Sequence, residues 1–217
     1  MELQPFEVHI WQARLNVSTA LFEQFLSIDE RDRAARFKFD RHRDRFVAGR
    51  GILRSVLARY LNTNPQDLQF NYEPHGKPFL KHRLQFNLAH SEDLALIAVT
   101  LDRSIGVDVE AMRSIENLEA LAQRFFTPGE YETICQAPIE ARSRLFFRYW
   151  TCKEAILKAT GAGLSKLSEL EIQTLPEPET MLDDWILREI VLQNNFIAAI
   201  AVLHRNNRSQ FESFFFN

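Results

Sequence analysis

Apolar positions in the first half of the chain recur with two periods, one typical of strands and one typical of helices. Strands are predicted at residues 6–15, 69–72, 84–88 and 94–101, and the last two should form a hairpin around residues 91–93. Helices are predicted at residues 19–26, 29–37 and 46–61. Asp29 stands where the second helix begins and is its expected N-cap. This half is therefore expected to mix strands and helices.

The second half of the chain repeats this mixture. Strands are predicted at residues 105–110, 170–174, 185–192 and 196–203, and helices at residues 118–126, 130–136 and 141–160. Gly161 and Gly163 end the longest helix. The order of elements predicts an α+β fold in two similar lobes that meet near Ser104, with residues 1–104 in the first lobe and residues 105–217 in the second. The aromatic run at residues 211–216 is expected to pack on the body.

The composition is that of a globular protein. Of the 217 residues, 46% are hydrophobic and 25% are charged. The longest apolar run, residues 196–203, is much shorter than the roughly 20 residues of a membrane-spanning helix, and Glu2 and Glu7 make the start unlike a signal peptide. Cys135 and Cys152 match no disulfide or metal-binding spacing. We therefore expect a cytoplasmic protein with reduced, buried cysteines and no membrane partner.

Positive charge is concentrated in one segment, although the chain has a net charge of -3. The basic residues of this segment are Arg31, Arg33, Arg36, Lys38, Arg41, Arg43, Arg45, Arg50 and Arg54, opposed by Asp32, Asp40 and Asp44. A local basic patch on a mildly acidic protein favours a small anionic ligand over a long polyanion. For any single arginine here, a solvated helix face with salt bridges is the simpler explanation.

Two carboxylates share one face of the strand predicted at residues 105–110. Asp108 and Glu110 are two residues apart, so they lie side by side, with Gly106 on the same face. At roughly 6 Å and an effective dielectric near 20, their repulsion is about 3 kcal/mol. Water, a basic side chain or a hard cation must offset it. Gly106 is expected to leave room for a bulky ligand, whereas the plainer alternative is a solvated strand face.

The longest predicted helix carries charge in apolar company. Glu154 and Lys158 share a stripe with Phe147, Trp150 and Leu157, and the opposite stripe is also apolar. A simple i,i+4 ion pair on a solvated face would account for the two charges alone. The apolar neighbours instead favour partial burial, where a glutamate requires a cation, either the lysine or a metal.

Two further segments contain candidate ligand-binding residues. His90, in Asn87-Leu88-Ala89-His90-Ser91, lies where a strand meets a turn and could donate to a phosphate, or could be structural. Gly76-Lys77-Pro78 is a turn-rich loop. The chain has no Walker or dinucleotide-binding glycine loop, no zinc spacing and no nucleophile elbow.

Taken in order, these motifs resemble the 4′-phosphopantetheinyl transferase superfamily, in its larger single-chain class of the surfactin-synthetase-activating type. The resemblance rests on Gly106-Val107-Asp108-Val109-Glu110 and, about 40 residues later, Trp150-Thr151-Cys152-Lys153-Glu154-Ala155-Ile156-Leu157-Lys158. Residues 76–78, residues 87–91 and Arg124-Phe125-Phe126 before Glu130 also fit, so nearly the whole chain is covered. The resemblance implies a monomer of two α+β lobes in pseudo-twofold arrangement, with the active site between them.

The implied reaction transfers the 4′-phosphopantetheine arm of coenzyme A to a serine of an apo acyl or peptidyl carrier protein and releases 3′,5′-ADP. By resemblance, Asp108, Glu110 and Glu154 bind magnesium or manganese, and the catalytic residues are Asp108, Glu154 and Lys158. The implied coenzyme A ligands are Arg33, Arg45, Lys77, His90, Lys153 and Lys158. Glu130 matches a metal or water position, and Arg124 is a candidate carrier contact. At the position of Glu30, some members of this superfamily carry a basic residue that contacts a phosphate of coenzyme A. By resemblance, this chain lacks that contact.

The carrier serine needs a base, and Glu154 is the candidate, directly or through water. Carboxylate ligands suit magnesium or manganese and not zinc. The main alternative is a non-catalytic nucleic-acid-binding protein that uses the basic patch from Arg31 to Arg54. That alternative leaves Asp108, Glu110 and Glu154 unexplained, and the net negative charge argues against it. We therefore expect no nucleic-acid partner.

Overall fold

The computed structural model describes residues 1–193, 195–204 and 209–216. Its strands are β1 (Glu7–Arg14), β2 (Asn71–Tyr72), β3 (Pro78–Phe79), β4 (Leu84–Ser91), β5 (Leu94–Leu101), β6 (Ile105–Ala111), β7 (Glu179–Leu182), β8 (Trp185–Glu189), β9 (Phe196–Leu203) and β10 (Gln210–Phe216). Its helices are α1 (Ala20–Glu23), α2 (Ile28–Ala35), α3 (Asp40–Leu61), α4 (Leu118–Phe125), α5 (Pro128–Gln136) and α6 (Ile139–Thr160). The predicted α+β fold class is confirmed.

Two four-stranded sheets and two long helices form the body of the protein. The first sheet has the strand order β10-β1-β5-β4, and the second has the order β6-β9-β8-β7. Alternating strand residues give each sheet two apolar faces. One core, which includes Trp11 and Leu53, joins the first sheet to α3. Leu96 and Ile200 lie in a core between the two sheets, and Ile156 lies in a third between α6 and the second sheet.

Gly106 lets strand β6 approach helix α6 closely. A Cβ atom on Gly106 would lie 2.0 Å from the carbonyl oxygen of Ala155 and 2.5 Å from the backbone nitrogen of Ala159. The expectation that Gly106 leaves space for a ligand is therefore wrong, because the backbone of α6 fills that space. The close approach instead presses the acidic face of β6 against α6.

Several local predictions need correction. The N-cap of α2 is Ser27 and not Asp29, because Ser27 and Glu30 form a capping box. Helix α3 begins at Asp40, six residues earlier than predicted, since its exposed first turns have no apolar periodicity. Residues 170–174 form no strand, and Ile172 instead donates its backbone N–H to Glu130 Oε1 at 2.7 Å. The second sheet takes its outer strand from β7, which the apolar pattern did not reveal.

The aromatic C-terminal segment forms β10, which pairs in parallel with β1 at the edge of the first sheet. The division into lobes of residues 1–104 and 105–217 stays a prediction. Strand β10 belongs to the second of these ranges by sequence but joins the sheet formed by the first. None of the helices in the described ranges combines the length and the apolar character needed to cross a membrane.

Candidate active site

Strand β6 and helix α6 bring oppositely charged side chains together. Asp108 Oδ1 accepts a hydrogen bond from Lys158 Nζ at 2.6 Å. The same Nζ atom lies 3.8 Å from Glu154 Oε2. Glu154 and Lys158 are one helical turn apart, so both reach the acidic face of β6, where Glu110 follows Asp108. The structure thus brings together the four residues that the two sequence motifs singled out.

This cluster has more negative charge than its lysine neutralises. Burial raises the pKa of Asp108 to about 7 despite the opposing effect of Lys158, and the charges of Glu154 and Glu110 add to the increase. Burial also raises the pKa of Glu154, again with a contribution from Glu110. Asp108 Oδ2 is buried and has no hydrogen-bond partner among the described residues. The site therefore favours an additional cation.

The donor set fits a hard divalent cation, which prefers carboxylate oxygens, and the unpartnered Asp108 Oδ2 is a ready ligand. Within the described ranges, no three histidine, cysteine, aspartate or glutamate side chains already stand at metal-binding spacing. Lys158 lies between Asp108 and Glu154, while Ser91 and Arg113 engage Glu110. The Lys158 ammonium would have to move aside for the carboxylates to share one ion, whereas Glu110, which Ser91 and Arg113 engage at Oε2, can present its other oxygen.

A cavity of about 300 Å³ adjoins this cluster. Its lining includes Glu154 and Lys158 of α6 together with the loop Gly76-Lys77-Pro78. The ammonium group of Lys77 donates to the carbonyl oxygens of Lys158 at 2.6 Å and Ile105 at 3.1 Å. Burial lowers the pKa of Lys77. Lys77 thus links the loop to β6 and α6, and its ammonium is already engaged with protein atoms.

His90 and Arg45 lie near the same cluster. Partial loss of hydration lowers the pKa of His90, and the positive charges of Lys158 and Arg45 lower it further. Arg45 donates from Nε to Asp93 at 2.8 Å and from Nη2 to Glu92 at 2.8 Å. Glu92 and Asp93 form the turn between β4 and β5. The basic segment therefore finds acidic partners that are distant in sequence and that its own composition did not reveal.

Arg33 and Glu30 lie on helix α2. The guanidinium of Arg33 stands 5.1 Å from the ring centroid of Phe46. Glu30 is buried and accepts a hydrogen bond from Arg54 Nε at 2.7 Å. A buried carboxylate with this partner has a structural role. Glu30 thus stabilises the packing of α2 on α3.

Lys153 and Glu130 form a separate pair on the other side of α6. Both side chains are buried, and Lys153 Nζ donates to Glu130 Oε2. Burial lowers the pKa of Lys153, with Glu130 opposing the effect. This arrangement does not support the expected contact of Lys153 with coenzyme A or the expected metal role of Glu130. The two residues instead join α5 to α6.

A groove of about 300 Å³ runs from Glu110 between α4 and α6, with an apolar lining that includes Leu121, Phe125 and Trp150. Arg124 is exposed beside it, and its guanidinium stands 5.0 Å from the ring centroid of Phe125. An exposed arginine thus borders an apolar groove that opens at the acidic cluster.

Ser91 and Asn87 contact β6 directly, and sequence reasoning gave them no role. Ser91 Oγ donates to Glu110 Oε2 at 3.0 Å, and Asn87 Oδ1 accepts the backbone N–H of Val107 at 2.9 Å. Asn87, Ala89 and Ser91 alternate along β4, so small or polar side chains share one face of this strand. This pattern in the sequence could have indicated a contact with a neighbouring element.

Comparison with known proteins shows the family of this chain. A family model described as the 4′-phosphopantetheinyl transferase superfamily matches residues 104–201, and one described as 4′-phosphopantetheinyl transferase, N-terminal, matches residues 10–102. The chain is 48% identical over 207 residues to the 4′-phosphopantetheinyl transferase HetI of Nostoc sp., covering 90% of this chain and 87% of that protein. It is 32% identical over 202 residues to the L-aminoadipate-semialdehyde dehydrogenase-phosphopantetheinyl transferase of Xenopus laevis, covering 80% and 67%. It is 30% identical over 146 residues to the 4′-phosphopantetheinyl transferase Sfp of Bacillus subtilis, covering 66% and 64%.

The chain therefore belongs to the 4′-phosphopantetheinyl transferase superfamily. Within it, the chain is an enzyme that uses coenzyme A as substrate and transfers its 4′-phosphopantetheine arm to carrier proteins. The resemblance inferred from the two motifs is confirmed. The relatives give no support to the nucleic-acid-binding alternative.

Proposed function

We propose that this transferase is magnesium-dependent and that Asp108, Glu110 and Glu154 hold the metal. The observation that supports the proposal is the uncompensated negative charge around Asp108, whose Oδ2 is buried without a partner among the described residues. Magnesium, or manganese in its place, would neutralise the pyrophosphate of coenzyme A as 3′,5′-ADP leaves.

Lys158 and Glu154 are proposed to act on the reacting groups. The Lys158 side chain is 30% exposed and lines the cavity beside the carboxylates, so its ammonium can turn toward a bound phosphate. Glu154 is the proposed acceptor of the proton from the carrier serine. Burial raises the pKa of Glu154, which makes it a stronger base than a solvated glutamate.

The first lobe is proposed to bind the nucleotide of coenzyme A. Arg45 and His90 are the proposed contacts to the 3′-phosphate, because His90 lies close enough to both Lys158 and Arg45 for their positive charges to lower its pKa. A guanidinium can hold a phosphate with two parallel hydrogen bonds. Arg33 is a weaker candidate, since it packs over Phe46. The loop that contains Lys77 is proposed to line the adenine.

Carrier proteins are proposed to dock beside Arg124. An acyl or peptidyl carrier protein presents an acidic helix with apolar spots, which an exposed arginine at the rim of an apolar groove would complement. We expect Arg124→Glu to raise the KM for an apo carrier protein more than the KM for coenzyme A. Steady-state kinetics with each substrate varied in turn would measure both values, and equal effects would contradict the proposal.

One experiment tests the metal assignment. Transfer to an apo carrier protein is followed by mass spectrometry in EDTA, after restoration of magnesium, and with zinc in its place. We expect activity to vanish in EDTA, to return with magnesium or manganese, and to stay low with zinc. Thermal stabilisation by coenzyme A with magnesium, but not by single-stranded nucleic acid, is the expected binding result. Full activity in EDTA would refute the metal assignment while leaving the transferase activity intact.

The enzyme is further proposed to act as a monomer, because both motifs and the cavity lie in one chain. Sedimentation of the active protein as an obligate trimer would refute this.

A further inference from the structure

The two sheets of this protein meet along strands β4 and β6, which are edge strands of different sheets. No backbone ladder joins them among the described residues: β4 pairs with β5, and β6 pairs with β9. An edge strand leaves a row of backbone groups without partners, and buried groups of this kind must be satisfied by other means.

Side chains of β4 satisfy two of these backbone groups of β6. Asn87 Oδ1 accepts the backbone N–H of Val107 at 2.9 Å, and Ser91 Oγ accepts the backbone N–H of Ala111 at 3.0 Å. Both contacts join residues that are 20 positions apart in the chain. Asn87 and Ser91 thus fix β6 at one register along β4. We call the two contacts the β4–β6 seam.

The seam also acts on one acidic side chain. Ser91 Oγ donates its hydrogen to Glu110 Oε2 at 3.0 Å while accepting from the next backbone N–H. A hydroxyl has one donor and can accept as well, so Ser91 fills both roles at once. The Glu110 side chain is 24% exposed, and Nη1 of Arg113 lies 3.6 Å from its Oε2 atom. Among the described residues, Ser91 thus makes a shorter contact with Glu110 than Arg113 does, and it orients this carboxylate.

We propose that Ser91 is a positioning residue that, together with Asn87, aligns Glu110 with the rest of the metal-binding carboxylates. His90 lies on β4 between the two seam residues, so the seam also fixes the nucleotide-binding strand relative to the carboxylate strand. The proposal rests on the proposed metal site and adds a residue that does not itself contact the metal. Partners that orient metal ligands typically change metal affinity ten- to a hundredfold when removed.

The test measures magnesium binding by calorimetry, with no carrier protein or turnover required. Ser91→Ala should weaken magnesium about ten- to a hundredfold, and Ser91→Thr, which keeps the hydroxyl, should bind nearly as wild type does. Ser55→Ala is the matched control, since Ser55 Oγ also bonds a backbone group, the carbonyl oxygen of Gly51 at 2.8 Å, but lies on α3. This control should leave magnesium affinity unchanged.

A double-mutant cycle with Glu110→Gln identifies the path of the effect. If Ser91 acts through Glu110, then Ser91→Ala should add little to the loss caused by Glu110→Gln. Wild-type affinity in Ser91→Ala, or the same fold-loss in both backgrounds, would overturn the positioning role. If Glu110→Gln and Asp108→Asn both bind magnesium as wild type does, the proposed metal site fails instead.

Amide hydrogen exchange supplies a readout that is independent of metal. Loss of the Ser91 hydroxyl should speed exchange at Ala111, and Asn87→Ala should speed exchange at Val107, with little change elsewhere in β6. Unchanged exchange at both amides would show that the seam does not hold this strand.

Discussion

Two lysines of helix α6 each bind a carboxylate from another element, but in very different surroundings. Lys153 is fully buried against Glu130, whose carboxylate also accepts two backbone N–H groups at 2.9 and 2.7 Å. Lys158 binds Asp108, which has one buried oxygen without a partner among the described residues and two further carboxylates nearby.

On one helix, an ion pair whose carboxylate oxygens are both satisfied thus contrasts with a carboxylate cluster that retains an unpartnered oxygen and that is proposed to bind the metal. Around Glu130, the lysine and the backbone donors satisfy both carboxylate oxygens, so no ligand is needed. Around Asp108, burial and the nearby carboxylates raise its pKa, and one of its oxygens has no hydrogen-bond partner among the described residues, so the site favours a bound cation. Sequence motifs treated both lysines alike, whereas the contacts separate them.

The largest effect is expected for Asp108→Asn. This change should lower kcat/KM for transfer on the order of a thousandfold, because several kcal/mol of charge stabilisation are lost. The free energy of unfolding in EDTA should not fall, because the change removes a carboxylate that the negative charges of Glu154 and Glu110 repel. Mass spectrometry of carrier modification and urea denaturation measure the two quantities. Glu154→Gln should behave in the same way, and near wild-type turnover in either variant would contradict the metal assignment.

Glu130→Ala should show the opposite pattern. It leaves the buried Lys153 without its carboxylate, so the free energy of unfolding should drop by about 3–5 kcal/mol. Turnover per folded molecule, measured well below the new Tm, should stay within about twofold of wild type because the pair lies away from the cavity.

A double variant is the control for this second prediction. Glu130→Gln with Lys153→Met removes both charges and should recover much of the stability lost in either single change. Loss of activity in a folded Glu130 variant would show that this pair belongs to the active site after all.

The motif residues and the α+β class could be predicted from sequence because they depend on local patterns. Alternation on β6 correctly placed Asp108 and Glu110 on one face, and helical spacing placed Glu154 beside Lys158. The surroundings of Gly106 could not be predicted, because a small residue suits a ligand or a closely packed helix equally well. Distant partners were also hidden: Arg45 appeared to lack acidic neighbours until the hairpin turn brought Glu92 and Asp93 to it.

A third prediction concerns pH. In the unfolded chain Asp108 has its ordinary pKa of 3.8, and burial raises it to about 7 in the folded protein. Between these values the folded state holds a proton that the unfolded state has lost, so stability declines as pH rises and the decline is complete above about 7. In EDTA, the free energies of unfolding of wild type and Asp108→Asn should therefore diverge from pH 4 to 7. Saturating magnesium should reduce the divergence, and a constant difference across this range would contradict the assignment.

The smallest effect is expected at Arg45. Its ion pairs are intermediate between the fully satisfied pair of Lys153 with Glu130 and the incompletely satisfied cluster around Asp108. Asp93 and Glu92 satisfy its guanidinium, yet their side chains are 36% and 57% exposed, so a phosphate can compete with them. A hydrogen bond to a charged group is worth about 1.5–3 kcal/mol, or roughly 10- to 150-fold in affinity. Because the existing carboxylates must be displaced, we expect Arg45→Ala to weaken coenzyme A only about tenfold, the low end of that range.

Comparison with dephospho-coenzyme A, which lacks the 3′-phosphate, separates binding from folding. Calorimetric titration should show that Arg45→Ala weakens coenzyme A but hardly affects the dephospho ligand, because only the former presents the dianion that the guanidinium would hold. Arg83→Ala is the matched control, since Arg83 bonds Asp102 through two nitrogens at the opposite end of the β4–β5 hairpin. That control should leave both affinities unchanged. An equal loss for both ligands in Arg45→Ala would instead group this arginine with Lys153, as a residue that stabilises the fold and does not recognise the substrate.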